Sequence, residues 1–293
     1  MQEERKVHFS LSSLSLKIIA AVLMTLDHVA LFFIDNNGLS GVINAYYILR
    51  AIGKISFPIF AYLAFDSINK AAHKKKYLIT LFSFAIFLDL IGYVMTKIAK
   101  INIATSPFIG NVFFDLFLGT LTVYLLNKRN YFSLFAILPV SYAILSNLKI
   151  SDYYGTLFKT DWGSFSITFF ILLFALNEIY KIYIRRQSSL LQVDESSLTA
   201  SNLPYNALAS VALFITEAVF YLIYSIDNNS TFIPNEFVPI GTYSTLAIIF
   251  FFLYNGKRGK DNKLIRYSFY LYYPLHLLIL GVFSLYFGVL RTI

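Results

Sequence analysis

Long apolar runs recur along the whole chain and are separated by short polar or charged segments. Each run contains about 18 to 22 largely apolar residues, which as a helix is enough to cross about 30 Å of hydrocarbon. The alternation of apolar and polar positions that is typical of strands is absent, so a membrane barrel is disfavoured. The pattern therefore predicts an all-α, polytopic transmembrane helical bundle that forms a single integral membrane domain over residues 1–293.

About nine spans are predicted, and the first is expected to be retained because it is too long for a signal-peptide core. The spans cover roughly residues 14–34, 48–66, 77–95, 109–126, 131–147, 162–184, 205–226, 237–254 and 267–290. The segment from about residue 187 to residue 202 is rich in Ser and Leu, and we predict that it is a mobile cytoplasmic linker.

Composition agrees with a membrane protein, since 57% of the residues are hydrophobic, 14% are charged and the mean hydropathy is +0.64. Soluble domains contain about 25% charged residues. The chain has no cysteine, which excludes disulfides, thiolate metal ligands and a cysteinyl acyl-enzyme. The net charge of +8 comes from basic residues in short loops, so it indicates topology rather than a nucleic-acid partner.

The distribution of Lys and Arg between the loops predicts the orientation of the bundle. Counted alternately by side, 17 of the 24 basic residues fall on the side that holds the N-terminus. Because cytoplasmic loops are enriched in Lys and Arg, the N-terminus is predicted to be cytoplasmic. Two basic clusters on that side, at residues 74–76 and 257–266, suit a phosphorylated cofactor, with solvated topology-setting loops as the alternative.

Several ionisable side chains fall inside the predicted spans, where each is costly unless it faces the bundle interior and pairs. They are Asp27, His28, Lys54, Asp89, Asp115, Glu217 and His276, with Arg50 near an outer helix end. From their depth in the spans, we expect these groups to converge in the outer half of the bilayer. The four histidines lie on separate segments, so no metal site is predicted.

The first span carries Lys17 and His28, whose separation of eleven positions places them on one helical face, about 16 Å apart along the axis. A cytoplasmic cation and a deep imidazole would then line one wall. The alternative is a snorkelling lysine and a histidine satisfied by a neighbouring carboxylate. Asp27 lies about 100° from His28 around the helix, so it is expected to pair with Arg50 or Lys54 instead.

A carboxylate from another helix is therefore expected to orient His28, and the candidates are Asp89, Asp115 and Glu217. Such a carboxylate would hold the imidazole in one orientation, as in catalytic triads. The alternative is interhelical ion pairing without catalysis.

Two further positions offer catalytic or binding groups. Arg50 and Lys54 are four positions apart on one helical face, which suits an anionic partner or a developing oxyanion unless they are interface anchors. His276 follows Pro274 by two positions in the last span. A proline there kinks the helix and frees a carbonyl, and the histidine is either a packed residue or a catalytic one.

Two motifs in the first half of the chain, from Ser15 to His28 and from Arg50 to Phe60, strongly resemble the TraX family of membrane proteins. Three further matches cover much of the rest: Asn111 to Gly119 is similar to the family's fourth-span motif, Asp161-Trp162-Gly163 to its Asp-Tyr-Gly, and Tyr273 to His276 to its closing segment. The chain departs from the family pattern at Asp115, where a hydroxyl residue is expected, and at Trp162, which replaces tyrosine.

The resemblance implies kinship with the integral membrane acyltransferase superfamily. In that superfamily the first span is marked by a basic residue and a histidine with ten residues between them, as Lys17 and His28 are here. Those enzymes use cytoplasmic acetyl-CoA and modify acceptors across the membrane, and the founding TraX member is associated with N-terminal acetylation of conjugative pilin. The resemblance thus implies an acetyltransferase of the bacterial cytoplasmic membrane without a metal. Its acceptor on the outer side would be a peptide amine or a cell-envelope glycan.

The resemblance also implies roles for individual residues. His28 would be the general base or a transient acyl carrier, Arg50 or Lys54 would stabilise the oxyanion, and His276 would orient substrate or thioester. The implied catalytic group is Asp27, His28, Arg50, Lys54, Asp115 and His276, and the implied acetyl-CoA-binding group is Lys17, Lys74, Lys75, Lys76, Lys257, Arg258 and Arg266. Two other classes stay open: a transporter or flippase with a buried Asp/Glu/His proton relay, and a non-catalytic conjugation or pilus assembly protein.

Overall fold

A computed structural model of the protein describes residues 10–34, 40–100, 106, 108–146, 158–199, 201–226, 241–260 and 262–287, without the side chains of residues 40–44, 263 and 266. Regular structure within these ranges is helical, apart from one parallel bridge between Leu11 and Tyr254. The prediction of an all-α chain is confirmed for this part of the protein.

The helices are numbered here in chain order. They are α1 (Ser13–Phe33), α2 (Ser40–Lys54), α3 (Ser56–Lys70), α4 (Lys74–Ile98), α5 (Val112–Leu126), α6 (Ile137–Ser146), α7 (Gly163–Leu191), α8 (Glu195–Leu198), α9 (Leu203–Ile226), α10 (Ala247–Leu253) and α11 (Lys263–Tyr286). Two 3-10 turns, Tyr131–Ala136 and Thr242–Leu246, lead directly into α6 and α10.

Six helical segments of the described chain are long and apolar enough to cross a membrane. They are Ser13–Phe33, Ala45–Lys70, Lys74–Ile98, Gly163–Leu191, Leu203–Ile226 and Tyr267–Tyr286. Three shorter apolar segments, Val112–Leu126, Tyr131–Ser146 and Thr242–Leu253, coincide with the other predicted spans. The chain is therefore a multi-pass helical membrane protein.

Two helix boundaries differ from the predicted spans. The predicted span 48–66 consists of α2 and α3, which meet at Ile55. Pro58 has no amide to donate to the carbonyl of Lys54, which explains an interruption at this point. α7 continues beyond the predicted end at residue 184 to Leu191, and α8 forms one more turn, so part of the segment 187–202 is helical.

The segment Ala45–Lys70 lies at the centre of the bundle, since 72% of its most apolar stretch is buried, against 33–39% for the other five long segments. Its second half, α3, packs against α1, α5, α7 and α10, while α1 also contacts α2 and α11. Asp27 of α1 and Lys54 of α2, both buried, therefore face other helices. This arrangement places the ionisable groups of the first spans inside protein instead of lipid, as such groups require.

The N-terminal end of α1 is fixed to the segment that follows α10. The amide of Leu11 donates to the carbonyl of Leu253 (2.7 Å), and the amide of Ser13 donates to the carbonyl of Lys257 (2.8 Å). The amide of Leu14 donates to the carbonyl of Arg258 (3.1 Å). Basic residues from the two ends of the chain are thereby held next to each other.

Candidate functional site

Asp27 on α1 lies between two cations of α2. Nη1 of Arg50 donates to Oδ2 of Asp27 at 2.9 Å, and Nζ of Lys54 lies 3.8 Å from the same oxygen. The predicted pairing of Asp27 with Arg50 or Lys54 is confirmed. Gly53 makes this approach possible, because a Cβ at that position would lie 2.2 Å from Cβ of Asp27 and 2.9 Å from its Cα. Only a residue without a side chain fits between the two helices here.

His28, the next residue of α1, contacts the last helix. Its Nδ1 lies 2.8 Å from Nε2 of His276, and the two ring centroids are 4.9 Å apart. The prediction that a carboxylate orients His28 was wrong, because the partner is a second histidine. Helical periodicity identifies the face on which His28 lies but does not identify the helix that packs against that face.

The three carboxylates proposed as partners of His28 have other partners. Asp89 accepts from Nδ2 of Asn111 (2.7 Å) and from the amide of Phe158 (2.6 Å), and Glu217 accepts from the hydroxyl of Ser244. Asp115 accepts from backbone amides only, as described below. Asp27, Arg50 and Lys54 therefore meet at one carboxylate oxygen, and His28 meets His276 one position further along α1. Convergence in the outer half of the bilayer stays a prediction.

His276 contacts Tyr272 of its own helix, α11, and Tyr272 in turn contacts α1. Its Nδ1 lies 3.1 Å from the carbonyl oxygen of Tyr272, whose ring stacks on the imidazole with centroids 5.2 Å apart and an interplanar angle of 15°. The hydroxyl of Tyr272 hydrogen-bonds Oγ1 of Thr25 at 2.6 Å. The histidine pair thus belongs to a polar contact that joins the first and last long helices.

Asp115, also predicted to be catalytic, binds the start of α7. Its carboxylate accepts from the amides of Asp161 (2.8 Å), Trp162 (3.0 Å) and Gly163 (2.8 Å), and the residue is 1% exposed. Gly163 has a positive φ of 41°, which a residue without Cβ tolerates readily. The Asp161-Trp162-Gly163 turn thus supplies three consecutive amides that surround one buried carboxylate.

Trp162 contacts both Asp115 and Lys54 of α2. Its indole stacks on Phe57 with centroids 4.4 Å apart, and Nζ of Lys54 lies 5.2 Å from the centroid of the indole. Trp162 is only 3% exposed, so these contacts are buried. Asp115 thus binds the backbone of the residue whose ring contacts Lys54, and no contact of Asp115 reaches His28 among the described residues.

Two chambers lie next to each other on the side of the bundle that holds the N-terminal end of α1. The basic chamber has a volume of about 400 Å³ and is lined by five basic side chains: Lys17, His73, Lys76, Arg258 and Lys260. The inner chamber, of about 100 Å³, is lined mainly by apolar and aromatic side chains. Both are bordered by Lys17, Ser67, Tyr77, Phe269 and Tyr270, so the two chambers adjoin.

One face of α1 lines the two chambers in turn. Lys17 borders both chambers, and Ala21 and Met24 border the inner one. His28 follows at the same helical spacing of three or four residues, and so continues this face. Tyr272 and Tyr273 also line the inner chamber, and both rings contact His276. The inner chamber therefore lies between the basic chamber and the tyrosines that contact His276.

The predicted acetyl-CoA-binding residues divide into two groups in the structure. Lys17, Lys76 and Arg258 line the basic chamber. Lys74 and Lys75 instead line, with Lys76, a wider groove beside Tyr124, and Lys257 is exposed. The side chain of Arg266 lies outside the described residues.

The structure adds His73 and Lys260 to the lining of the basic chamber. Both are neighbours of basic residues that the sequence had already indicated, and this proximity was the available signal. Which members of a basic run face a chamber and which face solvent depends on how the loops fold, which the run itself does not encode.

These features define a class: a multi-pass helical membrane protein with a partly buried histidine pair, a carboxylate paired with two cations, and a basic chamber beside an apolar one. The chain belongs to the TraX family, because the family model described as TraX protein matches residues 12–227. It is also similar to the probable fimbrial assembly protein FimC, serogroup H1, of Dichelobacter nodosus. The identity is 25% over 279 residues, which cover 94% of this chain and 96% of that protein. No solved structure matches the chain.

Proposed function

We propose that the protein is a membrane acyltransferase that takes an acetyl group from acetyl-CoA on the cytoplasmic side and passes it to an acceptor on the outer side. The observation that carries this proposal is the basic chamber beside an apolar inner chamber whose Tyr272 and Tyr273 contact His276. Five basic side chains at the wide end suit the phosphates of CoA. The apolar and aromatic inner chamber suits an uncharged arm that carries a thioester.

The proposal includes an orientation. The basic chamber is formed by segments on the side with most of the Lys and Arg, which is the cytoplasmic side by the positive-inside rule. With nine crossings, the N-terminus is cytoplasmic and the C-terminus lies outside the bacterial cytoplasmic membrane. The histidine pair then lies beyond the middle of α1, closer to the outer side than Lys17 is.

In the proposed reaction, His28 is the general base. It accepts the proton of an acceptor amine or hydroxyl as that group forms a bond to the acyl carbon. Bound acetyl-CoA supplies the activated acyl group. His28 then returns the proton to the sulfur as the carbon–sulfur bond breaks. Arg50 and Lys54, which are paired with Asp27 next to His28 in the chain, stabilise negative charge on the acyl oxygen.

The acceptor is proposed from the relative. That protein is called a probable fimbrial assembly protein, which supports an acceptor in a surface fibre or in the cell envelope. A peptide amine or a glycan hydroxyl both satisfy the proposed chemistry, since either loses one proton on acylation.

The test compares two histidine variants of purified protein in lipid nanodiscs, with labelled acetyl-CoA and a cell-envelope fraction as the source of acceptor. His28→Ala should lower kcat by about 10²–10⁴-fold, the usual contribution of a general base. The matched variant His73→Ala, which removes a side chain of the basic chamber, should raise KM for acetyl-CoA and keep kcat. Transfer by His28→Ala at the parental rate would contradict the proposal.

The name of the relative also favours a second candidate, an assembly protein without chemistry. In that case, His28→Ala should leave fibre assembly intact, and the purified protein should not bind CoA. Label that stays on the denatured parent protein but is absent from His28→Ala would instead identify His28 as an acyl carrier. Fibre assembly in cells, together with CoA binding and retained label on the purified protein, therefore separates the enzyme from the assembly protein.

A further inference from the structure

We infer that His276 is a positioning residue that fixes the tautomer of His28, so that Nδ1 of His28 carries a proton and Nε2 is the basic nitrogen. The purpose of this arrangement rests on the proposed function, but its geometry does not. The inference is argued from two contacts in series. Nδ1 of His276 lies 3.1 Å from the carbonyl oxygen of Tyr272, and Nε2 of His276 lies 2.8 Å from Nδ1 of His28.

The proton positions follow from the chemistry of each group. A carbonyl oxygen can only accept, so Nδ1 of His276 carries a hydrogen and donates it to the oxygen of Tyr272. In a neutral imidazole the other nitrogen is then an acceptor, so Nε2 of His276 accepts from Nδ1–H of His28. Nε2 of His28 is left with its lone pair. The contact made by one ring nitrogen thus assigns the role of the other.

The rings that surround His276 restrict its rotation. Tyr272 stacks on it, and Tyr273 meets it edge-on with centroids 5.2 Å apart and an interplanar angle of 88°. Tyr273 also meets His28 edge-on at 6.0 Å, and His276 is 6% exposed. A ring held in this way cannot exchange its two nitrogens without disturbing its neighbours, so the direction of the two hydrogen bonds is built into the packing.

A histidine in this place has a different consequence from the carboxylate of a catalytic triad. A carboxylate in this place would be a further buried charge, with the desolvation cost that every buried ion carries. The neutral pair of His28 and His276 adds no charge before the reaction. When Nε2 of His28 takes a proton, its Nδ1–H keeps donating to His276, which stabilises the imidazolium without burying an anion.

Two substitutions of His276 separate positioning from packing. In His276→Gln, the side-chain oxygen can reach the position of Nε2 and accept from His28. In His276→Asn, the amide is shorter and reaches only the position of Nδ1. We expect His276→Gln to keep most of the parental kcat and His276→Asn to lose about 10²-fold, with KM for acetyl-CoA little changed in both. Equal losses in the two variants would count against the proposal.

The deciding measurement does not depend on activity. The chain has four histidines, so protein labelled with ¹⁵N-histidine in nanodiscs gives few signals, and His28→Ala assigns those of His28. The ¹⁵N shifts of the two ring nitrogens show which one is protonated. We expect Nδ1–H for His28 in the parent and in His276→Gln, and a change to Nε2–H in His276→Asn.

Protonation of Nε2 instead of Nδ1 in the parent protein would overturn the inference, even if acetyl transfer is observed. If His28 has the Nδ1–H form but no acetyl transfer occurs, the tautomer assignment stands and the proposed function fails. Should His276→Asn not fold, the spectrum of the parent protein alone decides the question.

Discussion

Two buried carboxylates near the same tryptophan, Asp27 and Asp115, are satisfied in opposite ways. Asp27 is paired with side-chain cations on the neighbouring helix, and its Oδ1 accepts no hydrogen bond within the described structure. Asp115 accepts three hydrogen bonds from consecutive backbone amides at the start of α7. The first carboxylate holds charges next to a histidine, while the second fixes the path of the backbone.

The comparison shows that an acidic residue inside a predicted span has two quite different uses. Backbone amides are present whatever the side chains are, so a carboxylate bound to them organises the fold. Side-chain cations are costly to bury and are kept where their charge is used or compensated. The partners of a buried acid therefore distinguish a structural position from a functional one better than its depth in the membrane does.

The largest effect on stability is expected at Asp115. Asp115→Asn replaces one acceptor oxygen with an NH₂ group that faces amide donors, so at least one buried N–H loses its acceptor. We expect the free energy of unfolding to fall by about 2–5 kcal/mol, measured by SDS titration in mixed micelles. Asp161→Asn, an exposed neighbour in the same turn, is the control. Similar stability of the two variants would contradict the structural role of Asp115.

An intermediate effect is expected at Gly53, on the Asp27 side of the comparison. The Cβ of Gly53→Ala would lie 2.2 Å from Cβ of Asp27, so α1 and α2 must separate. Overpacking of this kind costs about 1–3 kcal/mol, which outweighs the gain of about 0.5–1 kcal/mol from replacing a helical glycine.

The same SDS titration measures this cost, and the acetyl-transfer assay reports on the loosened contact between Asp27 and Arg50. Ile48→Ala, at an exposed position of the same helix, is the control. A parental rate in Gly53→Ala would show that the close approach of Asp27 to α2 does not matter for activity.

The smallest effect is expected at Trp162, which connects the two carboxylates. Trp162→Tyr keeps an aromatic ring for stacking on Phe57 and for the cation of Lys54. We expect a loss of less than about 1.5 kcal/mol in the free energy of unfolding, as is usual for a swap between similar apolar side chains. A loss as large as that of Asp115→Asn would show that the indole itself, rather than the aromatic contact, holds the site together.

The sequence predicted the class of fold well, because about 20 consecutive apolar residues have few stable alternatives to a membrane helix. It also predicted the pairing of Asp27 with Arg50 or Lys54. Adjacent spans that carry opposite charges leave few other ways to satisfy a buried acid.

The partner of His28 and the role of Asp115 could not be predicted in the same way. His276 lies 248 positions from His28 in the chain, and contacts between such distant helices depend on the packing of the whole bundle. The three amides that bind Asp115 belong to a turn, where backbone direction and not residue type decides the contact. A pattern of side chains does not record backbone donors.

The proposal that the basic chamber receives acetyl-CoA is tested by measuring the binding of CoA to purified protein by calorimetry. Two matched pairs of neighbours are available: Lys76 and Arg258 line the chamber, whereas Lys75 and Lys257 do not. We predict that Lys76→Ala and Arg258→Ala each weaken CoA binding by about tenfold, the effect of losing one charged hydrogen bond, while Lys75→Ala and Lys257→Ala change it little. No binding to the parent protein, or equal weakening within each pair, would contradict the account.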